Sequence, residues 1–415
     1  MQFTTYITLG ALALLGMSCE QSIDDFAPRS GKAIFNSYVA VGDNYTAGYT
    51  NGALGREGQL ASYPNILAMQ LSSVGGGIFT QPLAAEGLSV GTTKLPSGYL
   101  NGYYALKVIN GNLKPVPGNG NIEVLTTPIG SQAPFHNVGV PGAKSFHLLT
   151  PLFGNPTLGT GNYNPYYTRF ASKPGTSTLL GDALLSSPTF FTLWIGMNDV
   201  LTYAMAGGQA DAITPPVAFE GYMTMVLDAL TTQTPQGAIA NIPALEVLPY
   251  FGYITSAGYQ PFLVEDATTA AGYRAITANE KILLPASDSI TMAQWGQLVS
   301  KPIKKQFVLD ETELSAINAA IDAYNTSLEK LAQAKGLAYV DMHGLMAQVA
   351  AGKWVDGNKY TAAFISGGFF SLDGIHPTPR ASAIIANTFI SAINAQYGAN
   401  VPMANVNDYS GVVFP

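Results

Sequence analysis

The stretch "YVAVGDNYTAGYTNG", residues 38–52, decides the fold. Its apolar run, residues 38–41, is typical of a buried strand, and Gly42 ends the run before a turn of small and polar residues. Further strand candidates are residues 135–139, "PTFFTLWIG" at 188–196, "GAIANI" at 237–242 and "LAYVDM" at 337–342. Helical spacing of apolar residues predicts helices over 63–77, 216–231, 311–335 and 380–398.

Strands and helices alternate along the chain, which predicts an α/β fold with a central parallel sheet covered by helices on both faces. Three segments rich in Gly, Pro, Asn or Tyr interrupt this alternation and are predicted to be large loop insertions, near residues 79–134, 150–187 and 249–305. We therefore expect a single three-layer domain over residues 36–415.

The composition favours an exported protein. Charged residues make up 11% of the 415 residues, well below the usual quarter, so uncharged polar residues must cover much of the surface. The net charge is −7 and no basic cluster occurs, which argues against nucleic acid as a partner. The four histidines are scattered without ligand spacing, so the sequence predicts no metal site and no cofactor.

The N-terminus has the features of an export signal. Residues 1–18 contain an apolar stretch of roughly a dozen residues, too short to span a bilayer, and Cys19 follows it as the only cysteine. The segment resembles a bacterial lipoprotein signal, which implies acylation of Cys19 and a lipid anchor in a bacterial membrane, at the outer membrane or cell surface. A buried cysteine on a helix is the alternative. Residues 19–35 are polar and contain Pro and Gly, and are predicted to form a flexible tether.

Four short segments fall at predicted strand ends or before the last helix: "GDN" at 42–44, "VGVPGAKS" around Gly142, "GMND" at 196–199 and "DGIHP" at 373–377. In order and context they resemble the SGNH/GDSL hydrolase family. The resemblance spans roughly residues 36–396 and implies a flavodoxin-like three-layer fold and acyl-ester hydrolysis.

The resemblance also implies roles for individual residues. Gly142 and Asn198 would donate hydrogen bonds to a developing oxyanion, and Asp373 and His376 would be the acid and base. A side chain at position 142 would crowd the acyl group. The nucleophilic serine of the family falls on position 44, which is Asn44.

Asn44 cannot act as a nucleophile, because its amide nitrogen is not basic and its oxygen carries no ionisable proton. Its backbone N–H would remain as a third oxyanion donor. Other groups that could attack are the Asp43 carboxylate, the Thr46 hydroxyl, Ser145, or a water molecule deprotonated by His376. Each has a structural alternative: Asp43 would bond backbone amides, and Thr46 and Ser145 would cap a turn or helix.

Three functions remain open from the sequence. The chain could be a surface hydrolase of acyl esters on glycans or lipids, a non-catalytic binder of such ligands, or a structural lipoprotein. Tyrosines in "NGYYAL" and "GNYNPYYTRF" could stack on sugar rings, although packing is the common role of such residues. The substrate and the oligomeric state are not indicated by the sequence.

Overall fold

The computed structural model describes residues 27–256 and 261–415. The predicted signal peptide, Cys19 and the first part of the predicted tether lie outside these residues. From residue 27 onward the predicted tether is packed against the domain: the backbone of Arg29 pairs with that of Asn400, and Phe35 is buried. The folded domain therefore begins a few residues earlier than the sequence analysis placed it.

A five-stranded parallel sheet forms the centre of the domain. Its strands, labelled in chain order, are β1 (Tyr38–Gly42), β2 (Asn137–Gly139), β3 (Phe190–Trp194), β4 (Gly237–Ala240) and β5 (Ala338–Val340). The spatial order is β5-β4-β3-β1-β2, with β1 paired to both β2 and β3. This flavodoxin-like order reverses direction at β1, and ligands of such sheets bind at the carboxyl ends of the strands next to the reversal.

Among the residues that the structure describes, five helices of nine or more residues cover the sheet and confirm the predicted three-layer α/β fold. They are α1 (Tyr63–Leu71), α2 (Pro216–Gln233), α3 (Glu311–Ala334), α4 (Met342–Ala351) and α5 (Pro379–Tyr397). Helices α1 and α5 pack together through stacked Tyr63 and Phe389 rings, and α2 and α3 pack through Phe219 and Tyr324. Helix α3 opens with a capping box of Asp310 and Glu313.

Sequence patterns explain why β1 and β3 lie at the centre. All five residues of each strand are buried, as expected for parallel strands covered on both faces. Alternate β3 residues Phe190 and Trp194 contact aromatic rings of α5, so their neighbours face the opposite layer. The site described below lies beyond the carboxyl ends of these two strands.

Short elements lie in the insertions and in the segments between the central strands and helices. Paired strands occur at Leu54–Gly55 with Ser89–Val90, Asn101–Ile109 with Asn112–Asn119, Leu263–Glu265 with Tyr273–Ala275, Lys281–Ile282 with Val308–Leu309, and Lys353–Val355 with Asn358–Tyr360. Short helices lie at Asn44–Ala47, Arg56–Leu60, Glu123–Thr126, Pro165–Phe170, Leu179–Leu184, Asn198–Met205, Pro249–Ser256 and Ser287–Ala293. We call residues 101–119 the cover hairpin. Within the described ranges, no helix has the length and apolarity needed to cross a membrane.

Candidate active site

The four sequence segments meet at the carboxyl edge of the sheet. Asn44 begins the short helix that follows β1, Gly142 lies in the loop after β2, and Asn198 begins the helix that follows β3. Asp373 and His376 lie in the loop that leads into α5. The structure therefore brings all five predicted site residues into one cleft.

The side-chain amide of Asn44 contacts three of these residues. Its Oδ1 accepts hydrogen bonds from the Gly142 backbone N–H at 2.8 Å and from Asn198 Nδ2 at 2.9 Å. Its Nδ2 lies 2.9 Å from His376 Nε2. Two N–H donors point at one atom of the amide, so that atom is the oxygen and the nitrogen faces the ring. The amide thus fills the space between the histidine and the two donors.

Asp373 fixes the orientation of the histidine ring. Its Oδ2 lies 2.9 Å from His376 Nδ1, and its Oδ1 accepts the backbone N–H groups of Ile375 and His376. Burial alone raises the pKa of the Asp373 carboxyl, but the His376 charge and these hydrogen bonds outweigh it and bring the net pKa below its usual value. Nδ1 therefore donates to a carboxylate, and Nε2 is left as the acceptor of the Asn44 N–H.

The backbone conformation at position 142 requires glycine. Its φ is +80°, which favours glycine, and its N–H points at Asn44 Oδ1. A Cβ at this position would lie 3.7 Å from Asn164 Nδ2, with nothing closer. The surrounding protein atoms therefore leave space for a methyl group at position 142. The left-handed backbone conformation, and not crowding by these atoms, explains why the residue is glycine.

The alternative nucleophiles of the sequence analysis point away from the cleft. Asp43 is 2% exposed and accepts the backbone N–H of Tyr45. Thr46 is fully buried and bonds the Tyr63 hydroxyl, which differs from the predicted cap. Ser145 is also fully buried and donates to Asp199 instead of capping a helix. Solvent water is the remaining nucleophile of those considered.

Asp199 is a positioning residue that the sequence analysis missed. Its two carboxylate oxygens accept the Ser145 N–H at 2.8 Å and the Ser145 hydroxyl at 2.6 Å. These bonds join the loop that carries Gly142 to the helix that carries Asn198. The sequence feature that could have indicated Asp199 is its position in "GMND", directly after Asn198.

A large cavity opens from the site. Its volume is about 1670 Å³, and Asn44, Asn198, Asp373 and His376 lie at its base. Tyrosines from three insertions contribute to the wall: Tyr104, Tyr163, Tyr166, Tyr250 and Tyr253. Of the predicted aromatic stacking residues, Tyr103 and Tyr167 are instead engaged with Gly58 and Asp182.

The acidic and basic side chains that line the cavity are mostly paired. Lys114 and Asp288 form an ion pair at 2.6 Å, and the largely buried Asp373 is hydrogen-bonded to His376 Nδ1. His147 also lines the cavity, and burial together with the charge of Lys144 lowers its pKa to about 4. At neutral pH the wall therefore offers little uncompensated charge to a ligand.

The parallel sheet and the His–Asp pair beside two oxyanion-type donors define a three-layer α/β protein with an ester-hydrolase type of cleft. The sequence profile of the GDSL-like lipase/acylhydrolase family matches residues 38–389, and the chain belongs to this family. A search of curated proteins gives no match.

Solved structures that are similar to this chain include two hydrolases. LAE5, an alpha/beta hydrolase enzyme from the metagenome of Lake Arreo, is 13% identical, with a TM-score of 0.38 and coverage of 88% of this chain and 97% of LAE5. Axe2, an acetylxylan esterase from Geobacillus stearothermophilus, is 12% identical, with a TM-score of 0.37 and coverage of 88% of this chain and 96% of Axe2.

Proposed function

We propose that this chain is a lipid-anchored GDSL-family protein that binds neutral acyl esters in its cleft and does not hydrolyse them through a residue-44 nucleophile. One observation carries the proposal. The Asn44 amide accepts hydrogen bonds from Gly142 and Asn198 and donates one to His376, so a group that is not a nucleophile stands where an acyl-transfer site needs a hydroxyl.

The contacts of Asn44 indicate how an ester would bind. The amide oxygen occupies the point to which Gly142 N–H and Asn198 Nδ2 donate, and an ester carbonyl oxygen needs the same donors. Rotation of the Asn44 side chain toward the cavity frees both donors and His376 Nε2. The backbone N–H of residue 44 is then the third donor. Asn44 therefore competes with the ligand carbonyl for one position.

The cavity supports a neutral ligand larger than an acetyl group. Small-molecule pockets commonly enclose about 300–1,000 Å³, and this one encloses about 1670 Å³. Lys114 and Asp288 on its wall are ion-paired, Asp373 is largely buried and hydrogen-bonded to His376, and His147 is neutral at pH 7. Tyrosine rings on its wall suit the faces of sugars or the length of an acyl chain. Acylated neutral glycans and neutral lipid esters are thus the proposed ligand classes.

The first test restores the missing hydroxyl. The full chain is purified in detergent as wild type, Asn44→Ser and the matched control Asn44→Ala, and hydrolysis of p-nitrophenyl acetate is followed. We expect Asn44→Ser to exceed Asn44→Ala by at least about 10³-fold in kcat, a part of the ~10⁶-fold that the serine contributes in a complete triad. A folded Asn44→Ser variant that is as slow as Asn44→Ala contradicts the proposal.

Slow hydrolysis by water is the second candidate function. It is favoured by the His376–Asp373 pair, whose 2.9 Å contact leaves Nε2 available as a base once Asn44 rotates. When a triad lacks one member, the oxyanion hole and substrate binding alone still accelerate the reaction by about 10³–10⁴-fold over the reaction in water. If this function operates, wild-type turnover is measurable and disappears in His376→Ala. Unchanged turnover in His376→Ala excludes it.

The lipid anchor is tested separately. Cys19 follows the predicted signal segment directly and is the single cysteine of the chain. We expect labelled fatty acid to be incorporated into the chain in a bacterial host, and incorporation to be lost in Cys19→Ser. Incorporation of the fatty acid into Cys19→Ser, or no incorporation into wild type, would contradict the proposed lipid anchor.

A further inference from the structure

The contacts of Asn44 place its own amide in the arrangement that the cleft would give a substrate. The carbonyl oxygen accepts two hydrogen bonds, at 2.8 Å from Gly142 N–H and at 2.9 Å from Asn198 Nδ2. Such donors polarise a carbonyl and stabilise the negative charge that forms on its oxygen when a nucleophile adds to the carbon. The Asn44 amide carbon is therefore activated toward addition.

The amide nitrogen occupies the position of a leaving group. It lies 2.9 Å from His376 Nε2, the ring nitrogen that is free to exchange a proton because Nδ1 is bonded to Asp373. A general acid–base group must be within hydrogen-bond reach of the atom that gains or loses the proton, and His376 meets that condition for Nδ2, the leaving nitrogen. Asn44 also lines the large cavity and is partly exposed, which gives water a route to this residue.

From these contacts we infer that the site hydrolyses its own Asn44 side chain to aspartate. Water adds to Cγ and gives a proton to His376 Nε2, while the negative charge develops on Oδ1 between Gly142 and Asn198. His376 then passes the proton to Nδ2, the Cγ–Nδ2 bond breaks and ammonia leaves. The balance is one amide and one water converted to one carboxylate and one ammonium ion, with no other reactant.

The product is stabilised in the same place. The new carboxylate keeps the hydrogen bonds from Gly142 and Asn198 and gains a negative charge opposite His376. That charge disfavours both an ester carbonyl and its oxyanion at the two donors. The conversion thus slowly and irreversibly prevents ester binding in the cleft, and it needs no ester ligand.

Spontaneous deamidation gives a different product. The ordinary route closes a succinimide through the next backbone nitrogen and yields a mixture of aspartate and isoaspartate. At this position that nitrogen belongs to Tyr45, in a short helix, and its N–H is bonded to Asp43. Direct hydrolysis at Cγ yields aspartate alone, so the product isomer separates the two routes.

The test follows the tryptic peptide 33–56 after incubation of the folded full chain in water enriched in heavy oxygen. This peptide also contains Asn36, which is exposed and serves as the internal control. We expect Asn44 to become aspartate with one heavy oxygen and no isoaspartate, faster than Asn36. His376→Ala should slow it by about 10²-fold or more, and Asn198→Ala by about 10²-fold, with Asn36 unchanged.

Two further samples keep the result decisive. His376→Gln retains a hydrogen-bonding group without a basic nitrogen and should be as slow as His376→Ala, and urea-unfolded wild type should convert Asn44 no faster than Asn36. The inference is overturned if Asn44 in the folded wild type converts no faster than Asn36, if conversion persists in both folded His376 variants, or if isoaspartate forms at position 44. None of these outcomes depends on ester binding.

Discussion

At the scale of single residues, we propose that one difference, Asn44 in place of a serine, separates this site from a complete acyl-transfer site. The resemblance of four sequence segments to the GDSL family implied that Gly142, Asn198, Asp373 and His376 meet in one cleft. It could not predict where the Asn44 amide points. That orientation depends on donors and acceptors from three distant segments, whose positions are fixed only in the folded domain.

Asp43 beside this site gives a prediction for stability. Burial raises the pKa of its carboxyl to about 7, with the charge of Asp199 adding to the effect. A carboxyl whose pKa rises on folding binds its proton more tightly in the folded chain. The stability that this tighter proton binding gives the folded chain is complete below the pKa of Asp43 in the unfolded chain, near 4. It is lost as the pH rises to the folded pKa of about 7.

We therefore expect the free energy of unfolding of wild type to fall by a few kcal/mol, at most roughly 4, between pH 4 and pH 8 through this residue. Asp43→Asn keeps a capping side chain and should remove that part of the pH dependence. Urea unfolding at both pH values measures it, with Asp322→Asn on the exposed side of α3 as the control. Equal pH dependence in wild type and Asp43→Asn would refute this account of Asp43.

At the scale of elements, loops at strand ends position the site, and a hydrogen-bonded link holds two of them together. Apolar runs predicted the five central strands, and apolar residues at helical spacing predicted α1, α2, α3 and α5, whereas α4 was not predicted. The link between Ser145 and Asp199 was not predictable in this way. It joins residues 54 positions apart, and their pairing is visible only after β2 and β3 are placed.

This link gives a second stability prediction. Asp199→Ala leaves the buried Ser145 N–H and hydroxyl without their acceptor, which should cost about 1–3 kcal/mol of unfolding free energy. Asp199→Asn retains an acceptor for the N–H and should cost less. In an Asn44→Ser background the alanine variant should also lower kcat more than the asparagine variant does. Equal stability and turnover of the two variants would show that Asp199 does not position the site.

At the scale of the whole molecule, insertions close over the cleft. The cover hairpin, residues 101–119, reaches the helix Ser287–Ala293 through the Lys114–Asp288 ion pair, which joins two different insertions. The sequence indicated where the insertions are but not that they meet, because loops rich in Gly, Asn and Pro carry no periodic signal for their packing. The size and neutrality of the cavity follow from this closure.

Lys114→Ala tests the role of the cover hairpin. A partly exposed ion pair contributes about 0–1 kcal/mol to stability, so the unfolding free energy should change little. In the Asn44→Ser background we expect kcat/KM to rise a few-fold for a long-chain p-nitrophenyl ester and to stay unchanged for the acetate. Lys107→Ala, an exposed lysine of the same hairpin outside the cavity wall, is the control. Equal effects on both esters would show that the cover hairpin does not control ligand entry.

The central claim is that four distant segments form an acyl-transfer cleft that lacks only a hydroxyl at position 44. The most direct measurement is covalent labelling by an activated alkyl phosphonate ester, with the adduct located by mass spectrometry. The account predicts one adduct per chain on Asn44→Ser at residue 44, none at that residue in wild type, and loss of the adduct when His376→Ala is added. A folded Asn44→Ser chain that stays unlabelled, or that is labelled equally without His376, would contradict it.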